Sequence, residues 1–287
     1  MRKAELPRFL QLSSALQKFV TVEGTQAQLH IRPLHQYLTV RLVLEGGFDP
    51  GEITPHPPLR VERKGSRKLL SFAPDVEDTR EQTLLGGLKS KAVDVVVTKE
   101  GIGPVLAISV KGTGNAFRNL TNRMEEAIGD STNLHIMYPG LVYGFLHFLK
   151  ANREGEAQLA PNDIALTASG EPVTAIRRYH DVLLGLVGRR LVRDDYTRYE
   201  AVGLAMVVPR GEIRNQLLAA FPPPDSPLHF ARFFETLYSV YDLRYAYTAS
   251  SLARLLRHEW EENSPVLRSL ASSNEISEQL GYSVRMA

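Results

Sequence analysis

The chain contains no cysteine. That absence excludes disulfides, thiolate metal sites and cysteine nucleophiles, and it fits a cytoplasmic protein. No apolar run approaches the ~18 residues that a membrane-spanning helix requires, so neither a span nor a membrane partner is expected. The opening stretch, MRKAELPRFLQLSSALQKFV, lacks the apolar centre of a signal peptide and patterns as an amphipathic helix. A strong charge of one sign is lacking too. The formal net charge is only +2, low for a protein that coats nucleic acid by charge alone. Several catalytic signatures are also missing: there is no GxxxxGK[ST], no HExxH, no paired histidine spacing and no GxSxG. No internal repeat is present.

At 287 residues the chain is long enough to bury a full core. Apolar residues at 43% and charged residues at 23% are the proportions of a globular protein. Residues 1–58 pattern as an N-terminal helical segment. Its helix covers Leu34–Glu45, ends at Gly46-Gly47, and leads into a Pro/Gly-rich loop over Asp49–Pro58. Residues 59–150 form a core segment that opens with a hairpin over Arg60–Phe72, turning at Lys64-Gly65-Ser66. Residues 151–287 form a mostly helical region packed on that core. It comprises a polar linker Ala151–Pro172, a helix Val173–Leu191, a strand Ala201–Val208, a break at Phe221–Pro227, helices Leu228–Tyr241 and Ser250–Glu262, and a polar, loose tail after Ser264.

The chemistry concentrates between Asp94 and Glu126. Ala92–Thr98 is short, apolar and β-branched, and predicts a buried strand. Glu100–Pro104 is a turn by composition, and Val105–Val110 is a second strand running into Lys111. In an antiparallel pair Asp94, at the start of the first strand, lies beside Lys111, at the end of the second. Their seventeen sequence positions then collapse to roughly 5 Å, one strand spacing. After Gly112, Gly114 and Asn115, the residues Phe117, Leu120, Met124, Ala127 and Ile128 recur at helical spacing, with Gly129 as the expected stop. Asn133–Tyr138 reads as a further strand and Leu141–Lys150 as an apolar helix. Two carboxylates and a lysine suit phosphodiester hydrolysis. Acids hold a hard cation through oxygen, the cation activates water, and the ammonium positions that water and screens charge on the phosphate.

Strand with Asp, strand ending in x-Lys, helix, strand resembles the core of the PD-(D/E)xK nuclease superfamily. Val93 stands where that motif commonly has proline, and Ser109 where it has an acid two residues before the lysine. Ser109-Val110-Lys111 followed by Glu125 is similar to the branch of type II restriction endonucleases that reads CCGG-type sites, in which the missing carboxylate comes from the following helix. The resemblance implies an α/β fold with a restriction-endonuclease-like central mixed sheet flanked by helices, and a helical C-terminal elaboration. It implies Mg2+-dependent cleavage of double-stranded DNA by a homodimer. In that reading Asp94 and Glu125 are metal ligands, with the Val110 carbonyl as a further ligand and Glu126 and Glu45 in reserve. Lys111 is the catalytic lysine, and Ser109, Arg118 and Arg123 face DNA.

Arginine dominates the 34 basic residues, with clusters at Arg60–Lys68, Arg118 and Arg123, and Arg177–Arg193; acids gather at Asp75–Glu81 and Glu259–Glu262. Such asymmetry suits a DNA cleft, although any one cluster is an ordinary solvated face. Two other readings stay open. One is a DNA-binding protein that kept the fold without turnover. The other is a nucleotide-binding module using Gly112-Thr113-Gly114, where Phe117 occupies the third glycine position of a dinucleotide turn.

Overall fold

A strand covered on both faces shows no alternation in its sequence, because every side chain is buried. Two such strands run through the centre of this molecule. The computed structural model describes residues 7–21, 29–65, 67–115, 117–156, 159–193, 195–247, 253–270 and 273–287. Two helices, α1 (Leu12–Thr21) and α2 (Arg32–Leu44), come first. The strands follow: β1 (Ile53–Thr54), β2 (Leu59–Lys64), β3 (Arg67–Phe72), β4 (Gln82–Leu85), β5 (Ser90–Val93), β6 (Val95–Lys99) and β7 (Gly103–Thr113). Helix α3 (Leu120–Met137) leads to β8 (Val142–Lys150), and α4 (Thr174–Leu186) to β9 (Ala201–Val207). Three helices close the chain: α5 (Phe230–Tyr241), α6 (Pro265–Ser269) and α7 (Ser273–Leu280).

The main sheet has the order β1-β6-β7-β8-β9. β1, β6 and β7 are antiparallel neighbours, while β7–β8 and β8–β9 are parallel. A parallel pair needs a long crossover, and α3 and α4 provide the two. The fold is therefore α/β with a mixed five-stranded sheet flanked by helices, as expected. Side chains divide between its faces with period two. Val142, Leu146 and Phe148 of β8 join an apolar cluster with α1, α2, α5 and the C-terminal residues. Tyr143, Phe145 and Leu149 join a second cluster with α3 and α4. Gly144 lets α5 approach the sheet closely, since a Cβ there would stand 2.6 Å from the Phe233 ring.

The hairpin over Arg60–Phe72 forms as expected, with Lys64 opposite Arg67. It makes a separate two-stranded sheet, however, and the edge strand of the main sheet is the two-residue β1 from the Pro/Gly-rich loop. Other expectations are corrected. Gly129 does not stop α3, which runs on to Met137. A Cβ at Gly129 would meet nothing within 4 Å, so this is an open helical position, tolerated at about 1 kcal/mol relative to alanine. Asn133–Tyr138 is thus helix, apart from its last residue, rather than strand. Conversely, Leu141–Lys150 is strand β8 rather than helix, its uninterrupted apolar character coming from burial on both faces. The helix expected over Ser250–Glu262 has residues 250–252 outside the described segments, and the remainder holds only a 3-10 turn at Ala253–Leu255.

The tail after Ser264 is not loose. Val266, Leu267, Leu270, Ile276, Leu280, Tyr282 and Val284 are buried in the same cluster as α2. Backbone bonds from Arg285 N–H to the Leu44 carbonyl and from Trp260 N–H to the Arg285 carbonyl tie it to the end of α2. The last residues of the chain therefore complete the face of the sheet that α2 begins.

Candidate functional site

Asp94 stands where the chain changes partners. β5 pairs with β4, β6 pairs with β7, and Asp94 is the bend between them. Two registers fix its surroundings. Val95 opposite Ile108 brings Asp94 beside Ser109 and Val110, and the Asp94 carboxylate uses that placement. Its Oδ2 accepts the Val110 N–H at 2.7 Å and the Ser109 hydroxyl at 3.3 Å. Gln82 opposite Val93 makes Glu81 and Asp94 the next rung of the β4–β5 ladder. The remaining oxygen, Oδ1, faces the Nε2 of His35 on α2 at 3.5 Å.

His35, Glu81 and Asp94 form a cluster in which one ligand atom from each lies within 4.8 Å of the others. It is the one such trio among the described residues. His35 Nε2 is buried and has no hydrogen-bond partner among the described residues. Burial pushes the His35 ring down to about 4, against an opposing pull from Glu81, so the imidazole is neutral at pH 7. Burial also raises the Asp94 carboxyl above its ordinary value, partly offset by the Val110 N–H, Lys111 and Ser109. A buried carboxylate, a second carboxylate and a neutral imidazole nitrogen converging in this way could hold a cation. A cavity of about 20 Å³ adjoins His35, lined also by His56, Glu77 and Asp78, with room for one water.

Lys111 follows on the same strand. Residues 107, 109 and 111 of β7 share the face toward α3 by alternation. The Lys111 ammonium donates to Glu126 Oε1 at 3.0 Å. Glu126 is also bonded by Arg123 at 2.8 Å through Oε2, and Lys91 lies 3.9 Å from Oε1 while pairing with Asp130 at 2.6 Å. Burial alone would raise the Glu126 carboxyl, but Lys111 and Arg123 overcome it and bring it down to about 2.

The expected residues therefore divide. Asp94 stands beside Ser109 and Val110, the two residues that precede Lys111 on β7. The acid that α3 brings to Lys111 is Glu126, the reserve, and not Glu125. Glu125 is exposed and has no hydrogen bond or ion pair among the described residues; one residue turns a helix by about 100°, which carries it off the face that meets the sheet. Val110 meets Asp94 through its N–H, not its carbonyl. Ser109 is 1% exposed and bonded to Asp94, so its hydroxyl faces the carboxylate and not an open groove. Arg123 is half-exposed and holds Glu126. Arg118 lies in a 3-10 turn over Phe117–Asn119, and its side chain falls outside the described residues. Glu45 is ten positions along α2 from His35, about 15 Å at the helical rise. It is held at the far end by Arg41, at 2.7 and 3.1 Å, and by the Tyr238 hydroxyl.

His35 and Glu81 are the residues that sequence reasoning missed. One signal was available: a histidine in the first turn of the helix expected over Leu34–Glu45, which precedes the segment that carries Asp94. The Asp94–Glu125 pair expected to hold Mg2+ does not assemble. Two carboxylates at one point come instead from Asp94 and Glu81. Among known proteins, no family model matches this chain, and no curated protein and no solved structure shows a significant similarity to it.

Proposed function

We propose that the chain is a divalent-metal-dependent endonuclease that hydrolyses phosphodiester bonds of double-stranded DNA, of the restriction-enzyme type. The observation that carries this reading is the placement of Asp94 beside Ser109 and Val110, the two residues before Lys111 on β7, with an acid of the next helix bonded to Lys111. Asp94 at the bend entering β6, β7 with x-Lys, helix α3 and the parallel strand β8 follow the order that the resemblance implies, on a mixed sheet. A cation at the Asp94 carboxylate supplies Lewis acidity toward a phosphate oxygen. The residues of the chain do the rest. Val110 N–H and the Ser109 hydroxyl fix the Asp94 carboxylate by its Oδ2 and leave Oδ1 for a ligand role. Lys111, only partly exposed and oriented by Glu126, brings an ammonium to the attacked phosphate, where its charge offsets that of the pentacovalent state. Arg123 adds a basic edge beside it. Cutting both strands requires two such sites, which suits a two-fold homodimer on a palindrome.

Plasmid nicking by purified protein in Mg2+ or Mn2+ tests the reading. Lys111→Ala should lose cleavage by about 10²–10³-fold, the cost of removing one preorganised charge donor, while DNA binding measured by gel shift stays within a few-fold. Nicking by Lys111→Ala at the wild-type rate, or no metal-dependent nicking by the wild type on any duplex, would overturn it. Sedimentation of the protein with and without duplex tests the dimer.

A further inference from the structure

We propose that His35, Glu81 and Asp94 form a mixed nitrogen–oxygen cation site that selects a divalent first-row transition ion over Mg2+ and Ca2+. The inference specifies the cation of the centre described above, and it rests on the nuclease reading only for that ion's role in cleavage. The ligand atoms come from three separate pieces of chain: the first turn of α2, the loop entering β4, and the bend between β5 and β6. Helix packing against β6 and the β4–β5 ladder bring them together, so the cluster is not a local run of acids.

Three features point to a cation here. The first is geometric. Two ligands of one ion at about 2.0–2.2 Å each stand roughly 3–4 Å apart, and His35 Nε2 lies 3.5 Å from Asp94 Oδ1. The second is the orphaned nitrogen. His35 is 3% exposed, its Nε2 is aimed at the carboxylates, and nothing in the described protein bonds to it. A buried polar atom without a partner is costly, and a metal bond removes that cost. The third is the division of labour at Asp94, where both protein donors sit on Oδ2 and the second oxygen faces His35. A ligating carboxylate is commonly steadied in this way by a neighbour's hydrogen bond.

The nitrogen decides the class of ion. Mg2+ and Ca2+ take oxygen ligands almost exclusively. Imidazole with carboxylates instead suits the first-row divalent ions, whose affinities rise from Mn2+ toward Cu2+ at a given site. Mn2+ is the weakest of that series and also accepts oxygen ligands, so the nitrogen is read from its coupling to the bound ion and not from the preference alone. Mn2+ is therefore the stringent probe, and it carries a spin signal.

The experiment is a titration of the full chain with Mn2+ alone, followed by electron paramagnetic resonance, with Mg2+ as competitor and 14N coupling recorded on the bound ion. The wild type should bind one Mn2+ with a nitrogen coupling and resist displacement by a large excess of Mg2+. His35→Asn should lose the nitrogen coupling and at least about tenfold in Mn2+ affinity, while its Mg2+ affinity changes little. Because His35 is buried, Glu81→Gln, at a half-buried loop position, provides a second arm and should weaken Mn2+ by a similar factor while keeping the fold by circular dichroism. Failure of the wild type to bind Mn2+ at millimolar concentration overturns the site. So does Mn2+ affinity unchanged in Glu81→Gln, or nitrogen coupling unchanged in His35→Asn. Bound Mn2+ with nitrogen coupling but no DNA cleavage would sink the nuclease reading and leave this site standing. Cleavage in Mg2+ that is indifferent to His35→Asn, without Mn2+ preference, would do the reverse.

Discussion

The Lys111 ammonium and the Glu126 carboxylate meet at 3.0 Å across the gap between β7 and α3, and this contact decides which acid of the Glu125-Glu126 pair belongs to the site. Glu125→Ala removes an exposed side chain without a partner among the described residues, so it should cleave within about threefold of wild type and change stability by less than about 0.5 kcal/mol. Glu126→Ala leaves Lys111, Arg123 and Lys91 without their shared carboxylate, and should lose most of the cleavage. Parallel single-turnover assays of the two variants decide the matter; the opposite ranking would return the role to Glu125.

The same carboxylate should shape the acid limb of the stability curve. A carboxyl whose folded pKa lies below its unfolded value contributes stability above the unfolded value and loses it as pH falls through the folded one. For Glu126 these values are about 2 and 4.5. Wild type should therefore lose this contribution between about pH 5 and pH 2. Glu126→Gln has no such group to protonate. Urea unfolding at a series of pH values should show the wild type more stable than Glu126→Gln at pH 6 and the two converging near pH 2. A difference that stays constant across that window would mean that the ion pair is not the cause.

The placement of Asp94 beside the β7 residues that precede Lys111 was legible because it needs only local signals: a β-branched run, a Gly/Pro turn, and the geometry of an antiparallel pair. Glu126 rather than Glu125 was not, since the choice depends on the phase of a helix whose start is a 3-10 turn at Phe117–Asn119. β8 was misread for a physical reason. Tyr143, Phe145 and Leu149 pack on one face and Val142, Leu146 and Phe148 on the other, so the run has no period to distinguish strand from helix. β1 is two residues long and carries no pattern of its own. His35 and Glu81 were missed because their link to Asp94 is tertiary: a helix packed on a sheet, and one rung of a short hairpin. The C-terminal tail was misread because its apolar residues are interspersed with serine, and only the α2 surface that receives them shows their purpose.

Arg123 tests whether the edge beside Lys111 meets nucleic acid. It is half-exposed and bonded to Glu126, so its truncation leaves the core intact. Arg123→Ala should weaken duplex binding uniformly across sequences and reduce the slope of log affinity against log salt by about 1, as loss of one phosphate contact requires. Gel shifts across a salt series measure this. An unchanged slope would place the DNA path elsewhere, with the Arg60–Lys68 hairpin as the next surface to test.

Glu200 is the strongest stability prediction, and it lies away from the proposed chemistry. It is fully buried where the chain enters β9, and its Oε1 accepts from Arg189 at 2.6 Å and from Arg244 at 2.7 Å. Its Oε2 accepts the Tyr143 N–H at 2.8 Å and lies 3.4 Å from His135. Arg189 and Arg244 also bond carbonyls of the turn before β8 and of the 190–192 stretch. One carboxylate thus joins α3, β8, β9 and the segment after α5. Burial raises the Glu200 carboxyl, but His135, Arg244 and the Tyr143 N–H outweigh it and hold the group ionised. Removing one partner of a buried ion cluster leaves the others uncompensated, at a cost of about 3–5 kcal/mol. Glu200→Ala should lose that much in denaturant unfolding. Glu200→Gln should lose less, because the amide keeps one acceptor for the arginines. The double variant Glu200→Leu, Arg189→Met should recover part of the loss, since it removes one of the two stranded guanidinium charges and leaves only Arg244. A loss below about 1 kcal/mol in Glu200→Ala would mean that water reaches the arginines and that the cluster is not a dry core.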